Sequence, residues 1–308
     1  MTTTAMTVAV IGAGAIGGFY GGLLALGGAE VTFVARGRSL EALRRHGLRL
    51  TGNLDHTVEA PATDDTTEVG PVDVVMVATK AWQVDQACRT HLPALLGPRT
   101  IVVTTQNGVG SAEVVAAHAG TERTVAGVCR EWVALREPGV VDDMGGPRSL
   151  HLGRWDATPD PRVDALRRAL RAGGVDAPDV DDMRTEVWRK ASNVAAHGAV
   201  GAALDLPLGG LLADHRDLLG RCMGEWVAVG NAHGAHLPDS TVADNLAFLD
   251  AQDPSQTTSF QRDLTEGRPS EFASQVGALP HLGDEVDVDT PVNDTLAAVL
   301  GRRAVPTG

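Results

Sequence analysis

The fold of this 308-residue chain is decided by one stretch near its N-terminus, Thr7-Val-Ala-Val-Ile-Gly12-Ala-Gly14-Ala-Ile-Gly17. Its apolar first half predicts a buried strand, and the residues after Gly14 predict a helix. Glycines in this spacing, between a strand and a helix, are typical of a dinucleotide-binding turn. The first glycine permits the tight turn, the second lets a pyrophosphate approach, and the third lets helix and strand pack closely. We therefore predict cofactor contacts at Gly12, Gly14, Ala15, Ile16 and Gly17.

A packing role is the alternative interpretation of the glycine cluster. The chain contains 36 glycines, and Gly18, Gly21 and Gly22 extend the cluster beyond the turn. Small residues on a helix also allow close approach to a sheet, so these three predict helix–sheet packing.

The rest of the chain predicts an α/β N-terminal Rossmann domain with a parallel-sheet core, followed by an all-α C-terminal domain. The first domain is predicted over 1–179 and the second, a helical substrate and catalytic domain, over 180–308. The predicted strands are Thr7–Ile11, Val31–Val34, Val72–Ala78, Thr100–Thr104, Val125–Leu135 and Ser149–Leu152. The predicted helices are Arg162–Ala172, Met183–Leu204, Leu208–His233, Thr241–Leu249, Ser255–Glu266 and Pro269–Val276.

Composition excludes several classes of partner. The net charge of −13 and the lack of a basic run argue against nucleic acid or an anionic membrane as the main partner. Cys88, Cys129 and Cys222 have no paired spacing, so we expect neither a disulfide framework nor a metal site. The apolar segment from Met6 to Leu26 follows no Lys or Arg and is rich in glycine, so it is interpreted as part of the fold. A cytoplasmic protein is expected.

Arg36 suggests which dinucleotide binds. A site for NAD usually has Asp or Glu about 20 residues after the glycine turn, to hold the ribose 2′-hydroxyl. Arg36 occupies that point here, with Arg38 nearby, and Glu30 comes too early in the strand. Because guanidinium groups bind phosphate oxygens with two donors, the pattern predicts NADPH rather than NADH. The alternative is that Arg36 is one of many solvated arginines.

Only two of the 26 basic residues are lysines, Lys80 and Lys190, which leaves 24 arginines. A lysine in such a chain suggests a site that needs a compact ammonium able to lose a proton. Lys80 follows one predicted parallel strand and Asn107 follows the next, so both are expected to face the crevice where ligands bind in open α/β sheets. Because Asn107 precedes a glycine, an ordinary turn is its alternative role.

Lys190 lies in a predicted helix and shares one face with Glu186, Asn193 and His197. The four positions span about 60° at 100° per residue. A solvated face with a Glu–Lys pair is the alternative, but small and apolar residues flank this stripe, as in a buried helix. The pattern therefore favours one helix face that carries the polar chemistry.

Ser259, Asp263 and Glu271 belong to a segment whose pattern alone indicates no chemistry. It predicts an exposed helix, a stop at Gly267 and a new helix that begins at Pro269.

These motifs together resemble the ketopantoate reductase (2-dehydropantoate 2-reductase) family over nearly the whole chain. The matching pieces are Gly12–Gly17 with Arg36, Lys80-Ala-Trp-Gln-Val84, Asn107-Gly108, Trp188-Arg-Lys190 with Asn193, and Thr258-Ser259 through Asp263, Gly267-Arg268 and Glu271. The resemblance implies a Rossmann domain and a helical domain with the active site between them. It also implies NADPH as cofactor.

The resemblance further assigns roles to individual residues. Lys190 matches the general acid, and Ser259 matches the group that holds the substrate carboxylate. Glu271 matches the catalytic carboxylate that engages substrate, contacts the cofactor and helps order the site. Lys80 and Asn107 match residues that line the cofactor and substrate crevice. Asn193 matches a substrate hydroxyl ligand.

The chain departs from the family pattern beside Lys190. The family places an asparagine four residues after the lysine and a second one four further on. Here Asn193 follows after three residues, His197 stands where the second would be, and Gln256 replaces an asparagine before the Thr-Ser pair. A reshaped substrate pocket is expected.

We therefore expect an NADP-dependent oxidoreductase that reduces a small 2-keto acid, with ketopantoate as substrate, in pantothenate biosynthesis. The alternatives are a relative that reduces another 2-oxo acid or ketone, and a non-catalytic NADP-binding protein. A homodimer is compatible with each interpretation.

Overall fold

The structure is a computed structural model and describes residues 5–305. The chain folds into two compact units. One comprises the residues up to Gln106 and Ser111–Met183, and the other comprises Asn107–Gly110 and the residues from Arg184 onward. The predicted domain limits, 1–179 and 180–308, remain a prediction.

The first unit is an α/β structure. Its strands are β1 Thr7–Ile11, β2 Glu30–Val34, β3 Leu48–Gly52, β4 His56–Val58, β5 Ala62–Thr63, β6 Val74–Val77, β7 Ile101–Thr104, β8 Thr124–Arg130, β9 Val133–Glu137, β10 Val140–Asp143 and β11 Ser149–Arg154. Its helices are α1 Ala15–Leu26, α2 Gly37–His46, α3 Val84–Leu95, α4 Ser111–Ala119 and α5 Pro161–Ala172.

A seven-stranded sheet forms the centre of this unit, with the order β11-β8-β7-β6-β1-β2-β5. All its neighbouring strands are parallel except β11, which runs antiparallel to β8. The side chains of β1 alternate between two hydrophobic cores. Val8 and Val10 belong to one core, and Ala9 and Ile11 belong to the other. Because β1, β6 and β7 are parallel, the segments that follow them lie at the same edge of the sheet.

A second sheet, with the order β4-β3-β10-β9, was not predicted as such. It packs on α1 where that helix carries small residues. A Cβ atom at Gly18 would lie 2.8 Å from Val141 Cγ2, and one at Gly22 would lie 2.9 Å from Leu48 Cδ2. The packing role predicted for the additional glycines is therefore confirmed at these two positions.

The predicted single strand Val125–Leu135 is wrong. β8 ends at Arg130, and β9 begins at Val133 in the other sheet. The backbone of Trp132 instead exchanges hydrogen bonds with Gly145 and Met144. The apolar composition of this segment does not reveal that the chain changes sheets within it.

The second unit is helical within its described residues. Its helices are α6 Met183–Leu204, which begins at the last residue of the first unit, and α7 Leu208–Asp214, α8 Arg216–Ala232, α9 Thr241–Asp250, α10 Ser259–Thr265, α11 Ala278–Glu285 and α12 Pro291–Gly301. The predicted bounds of α6 are confirmed. The predicted helix Leu208–His233 is two helices that meet at His215. These helices surround a core that includes Trp188 and Trp226.

The predicted helix Pro269–Val276 is also wrong. Pro269 forms an isolated bridge with Val305, and 271–277 form turns that lead into α11. Proline suits the first turn of a helix, but tertiary packing selects the conformation here. Within 5–305 no single helix is long and apolar enough to cross a membrane, and only the bent pair α6 and α7, counted together, has that length and composition.

Candidate functional site

The turn between β1 and α1 has the geometry that its glycines predict. Gly12 adopts a positive φ of 98° and donates its N–H to Val34 O at 3.0 Å. A Cβ atom at Gly17 would lie 2.0 Å from Gly12 O and 2.9 Å from Ala78 Cβ. The backbone conformation at Gly12 and the close packing at Gly17 therefore require glycine at both positions.

Gly14 differs from these two glycines, because a Cβ atom there would meet no described atom within 4 Å. It is the N-cap of α1, and no side chain in the described part of the chain caps that helix. The first N–H groups of a helix have no partner within the helix, and they attract an anion. The turn thus leaves open space and backbone donors at Gly14, Ala15 and Ile16, which fits a bound pyrophosphate.

Arg36 lies just beyond the carboxyl end of β2, as the N-cap of α2, and is exposed. The pKa of His91, a residue of α3, lies below its usual 6.5 because of burial and because of the positive charge of the Arg36 guanidinium. Glu30 is the first residue of β2 and so lies at the other end of that strand. Directly after β2, the described part of the chain has an arginine and no carboxylate.

Lys80 follows β6, and a residue from the neighbouring strand holds its segment in place. The side-chain Nε2 of Gln106 donates to Val77 O and Thr79 O, both at 2.9 Å. The Thr79 hydroxyl is buried and has no hydrogen-bond partner among 5–305. Sequence reasoning missed Gln106 and Thr79, although their positions after β7 and β6 could have indicated them.

In the second unit, Glu186, Lys190, Asn193 and His197 all lie within α6, so the predicted stripe is one face of a continuous helix. Glu186, Lys190 and Asn193 are half-buried. Glu186 accepts a hydrogen bond from Arg189 at 3.2 Å.

His197 is buried, with 6% of its surface exposed. Its Nε2 atom has no hydrogen-bond partner within the described chain. Burial lowers the pKa of His197 from 6.5 to about 4. The imidazole is therefore uncharged at neutral pH, and a buried polar atom in this state needs a partner from a ligand or water.

The segment that carries Ser259 packs on the same helix. A Cβ atom at Gly198 would lie 2.9 Å from Thr258 Oγ1, so Thr258 contacts α6 beside His197. Thr258 caps α10 by accepting from Gln261 N at 3.1 Å, and Ser259 follows as an exposed first residue. Asp263, further along α10, accepts from Arg268 Nε at 3.0 Å. The structure thus brings Ser259 next to the helix that carries Lys190.

The segment that follows Asn107 packs on the turn that follows Glu271, although the two are far apart in sequence. Glu271 is buried, and its Oε2 accepts from Gln275 Nε2 at 3.2 Å. A Cβ atom at Gly108, where φ is 87°, would lie 2.1 Å from Ser274 O. Asn107 therefore leads directly into a segment that packs on the turn after Glu271. Sequence reasoning missed Gln275, since its pattern predicted only a helix there.

Within 5–305 no group of three His, Cys, Asp or Glu side chains could hold a metal ion. The polar groups of the two units instead suit organic ligands. An open dinucleotide turn on a parallel sheet, with lysine, serine and carboxylate side chains on a helical unit, defines a dinucleotide-dependent oxidoreductase.

Comparison with known proteins identifies the family. Residues 8–157 match the family described as ketopantoate reductase PanE/ApbA, and 182–304 match its C-terminal counterpart. A 2-dehydropantoate 2-reductase of Mesorhizobium japonicum is 32% identical over 329 residues, covering 98% of this chain and 99% of that protein. The chain belongs to the ketopantoate reductase family and is a pyridine-nucleotide-dependent oxidoreductase, which confirms the resemblance.

Solved structures agree with the fold. The crystal structure of 2-dehydropantoate 2-reductase from Geobacter metallireducens has a TM-score of 0.89 and 31% identity, covering 96% of this chain and 99% of that chain. A D-mandelate dehydrogenase solved with NADH and anilino(oxo)acetate has a TM-score of 0.87 at 22% identity, covering 97% and 98%, and supports the fold alone. The predicted Rossmann unit followed by a helical unit is confirmed.

Proposed function

We propose that this chain is an NADPH-dependent reductase that converts 2-dehydropantoate (ketopantoate) to pantoate in pantothenate biosynthesis. The observation that carries the proposal is the single face of α6 on which Lys190, Asn193 and His197 lie, with Thr258, the neighbour of Ser259, packed against the same helix. The similarity to curated 2-dehydropantoate 2-reductases over nearly the whole chain supports the choice of substrate.

Lys190 is the proposed general acid. Reduction of a ketone builds negative charge on the carbonyl oxygen, which an ammonium group stabilises and to which it can donate a proton. An arginine at this position would keep the charge but could not release the proton, because its pKa exceeds about 12. The retention of lysine in an arginine-rich chain agrees with this role.

The other polar groups are proposed to hold the substrate. Ser259 is exposed at the start of α10 and can donate to the substrate carboxylate. Asn193 and His197 lie along the helix beyond Lys190 and can bind the part of the substrate furthest from its carboxylate. Asn107 and Glu271 are proposed to contact both substrate and cofactor; Gly108, which follows Asn107, packs on the turn that follows Glu271.

NADPH, when bound, supplies the hydride. Residues Gly12, Gly14, Ala15, Ile16 and Gly17 are proposed to hold its pyrophosphate, with Arg36 on the 2′-phosphate. The open space at Gly14 and the uncapped start of α1 support this assignment. Lys80, Asn107 and Glu271 are proposed to complete the cofactor site.

The function is tested by a substrate panel with the purified protein. NADPH oxidation is followed with ketopantoate, other 2-keto acids and simple ketones, each also with NADH. We expect ketopantoate and NADPH to give the highest kcat/KM. A higher value for another 2-oxo acid would support the alternative substrate, which the shortened Lys190–Asn193 spacing favours. Absence of turnover with every carbonyl compound would contradict the reductase assignment.

Replacing Arg36 with alanine is expected to raise KM for NADPH roughly 10- to 100-fold, since a hydrogen bond to a charged group is worth about 1.5–3 kcal/mol. KM for NADH should change little, because NADH has no 2′-phosphate. Arg45→Ala is the matched control, as Arg45 is an exposed arginine of the same helix that pairs with Glu41. Equal effects of Arg36→Ala on both cofactors would contradict the assignment.

His197→Leu is expected to reduce the preference for ketopantoate over trimethylpyruvate, which lacks only its hydroxyl group. A buried polar atom that binds a hydroxyl is left unsatisfied by the analogue without it, at a cost of about 1.4–3 kcal/mol, or roughly 10- to 100-fold in kcat/KM. In His197→Leu this ratio should fall, although Asn193 can still bind the hydroxyl, and His197→Asn should retain more of it. The ratio is measured from about pH 6 to 9 and should be constant, because burial lowers the pKa of His197 to about 4.

Two results would contradict the prediction for His197. An unchanged ratio in His197→Leu would remove His197 from the substrate site. Loss of turnover with both substrates, accompanied by a lower Tm, would show that the imidazole serves the fold alone.

A further inference from the structure

The turn formed by 271–277 contains a buried amide that the proposed chemistry does not use. Gln275 is 1% exposed and Glu271 is 7% exposed. The Gln275 backbone N–H donates to Glu271 O at 3.0 Å, and its side-chain Nε2 donates to Glu271 Oε2 at 3.2 Å. The same residue therefore binds both the backbone and the carboxylate of Glu271.

The turn is held from outside by the segment that contains Asn107. Val109 N–H donates to Ser274 O at 3.4 Å, and Gly108 packs on the same carbonyl. Within the turn, Ser274 Oγ donates to Glu271 O at 3.3 Å. Ser274 directly precedes Gln275, so these contacts restrain the position from which the Gln275 side chain reaches the carboxylate.

A glutamine at position 275 lowers the stability of the fold, so a purely structural role does not explain it. Its Oε1 atom is buried and has no hydrogen-bond partner in the described part of the chain. An unsatisfied buried acceptor costs about 1–3 kcal/mol, whereas an apolar side chain of similar size would avoid that cost. The orientation with Nε2 toward Glu271 follows from charge, because the amide oxygen would repel the carboxylate. The N–H donated to Glu271 is thus the chemical property that distinguishes this side chain from methionine or leucine.

We propose that Gln275 is a positioning residue for Glu271: its amide N–H holds the carboxylate in one orientation toward the ligands. The inference rests on the proposed function of Glu271. A side chain whose rotamer is fixed by a hydrogen bond keeps its functional atoms in the geometry that ligand binding requires.

The test compares Gln275→Met, which keeps the volume and removes the donor, with Gln275→Glu, which places a like charge beside the carboxylate. For Gln275→Met we expect kcat/KM for the keto acid to fall about 10-fold, mainly through kcat, because the carboxylate loses the contact that orients it. Gln275→Glu should lower kcat/KM further, because the added like charge repels the carboxylate. Asn245→Leu is the control, since Asn245 is another buried amide of this unit that donates to Ser192 Oγ at 2.9 Å. It should lower Tm and leave kcat/KM nearly unchanged.

A second measurement does not depend on turnover. Tm is determined for Gln275→Met, Glu271→Gln and the double variant, and the double variant should lose less than the sum of the single losses. Additive losses would overturn the proposed interaction. Coupled losses in Tm with an unchanged kcat/KM would show that Gln275 has a structural role only, and would also overturn the proposal. If no keto acid is reduced, the proposed function fails, whereas the Tm comparison still decides whether Gln275 and Glu271 interact.

Discussion

Replacing Lys190 with arginine is expected to lower kcat by about a hundredfold to ten-thousandfold while leaving the affinity for NADPH nearly unchanged. Arginine keeps the positive charge on the same face of α6, but it cannot donate a proton at neutral pH. The loss therefore measures proton donation separately from electrostatic stabilisation. It is checked by steady-state kcat with ketopantoate and by a fluorescence titration of NADPH binding.

Two comparisons sharpen the result for Lys190. Lys190→Ala removes charge as well as proton and should lower kcat at least as far as Lys190→Arg. Arg189→Ala removes a neighbouring charge from the same helix, where Arg189 pairs with Glu186 at 3.2 Å, and should change kcat by less than about threefold. If Lys190→Arg retains kcat within a few fold of the parent protein, Lys190 is not the general acid.

Substitution of Gly17 by alanine is expected to destabilise the first unit by about 3 kcal/mol and to abolish measurable NADPH binding. The added Cβ atom would lie 2.0 Å from Gly12 O, which is backbone, and 2.9 Å from Ala78 Cβ. The helix and the turn must therefore move apart, and the turn that receives the pyrophosphate is distorted. Thermal unfolding and NADPH titration measure the two effects.

Gly14→Ala separates cofactor binding from folding. A Cβ atom at Gly14 would meet no described atom within 4 Å, so the free energy of unfolding should change by less than about 0.5 kcal/mol. NADPH affinity should nevertheless fall roughly 10- to 100-fold, because the methyl group occupies the space through which the pyrophosphate approaches. Unchanged affinity in a stable Gly14→Ala variant would place the pyrophosphate elsewhere.

Features with a strong local signal were predicted well. The bounds of β1 and α6 agree with the structure, because a β-branched run before a glycine turn and a long helical pattern are properties of neighbouring residues. The shared face of Lys190, Asn193 and His197 followed from helical periodicity alone. The assignment of Glu271 needed family resemblance, since its local pattern predicted a helix that the structure replaces with turns.

The sequence by itself determined the dinucleotide turn, the parallel sheet, the helical second half and the order of the polar residues on α6. Only the tertiary structure decided that Glu271 is buried beside Gln275, that the Asn107 segment packs on Ser274, and that His197 Nε2 has no partner among the described residues. The physical reason is the range of the interactions. Periodicity and turn chemistry act between neighbours along the chain, whereas burial and hydrogen-bond pairing depend on residues that meet only after the chain has folded.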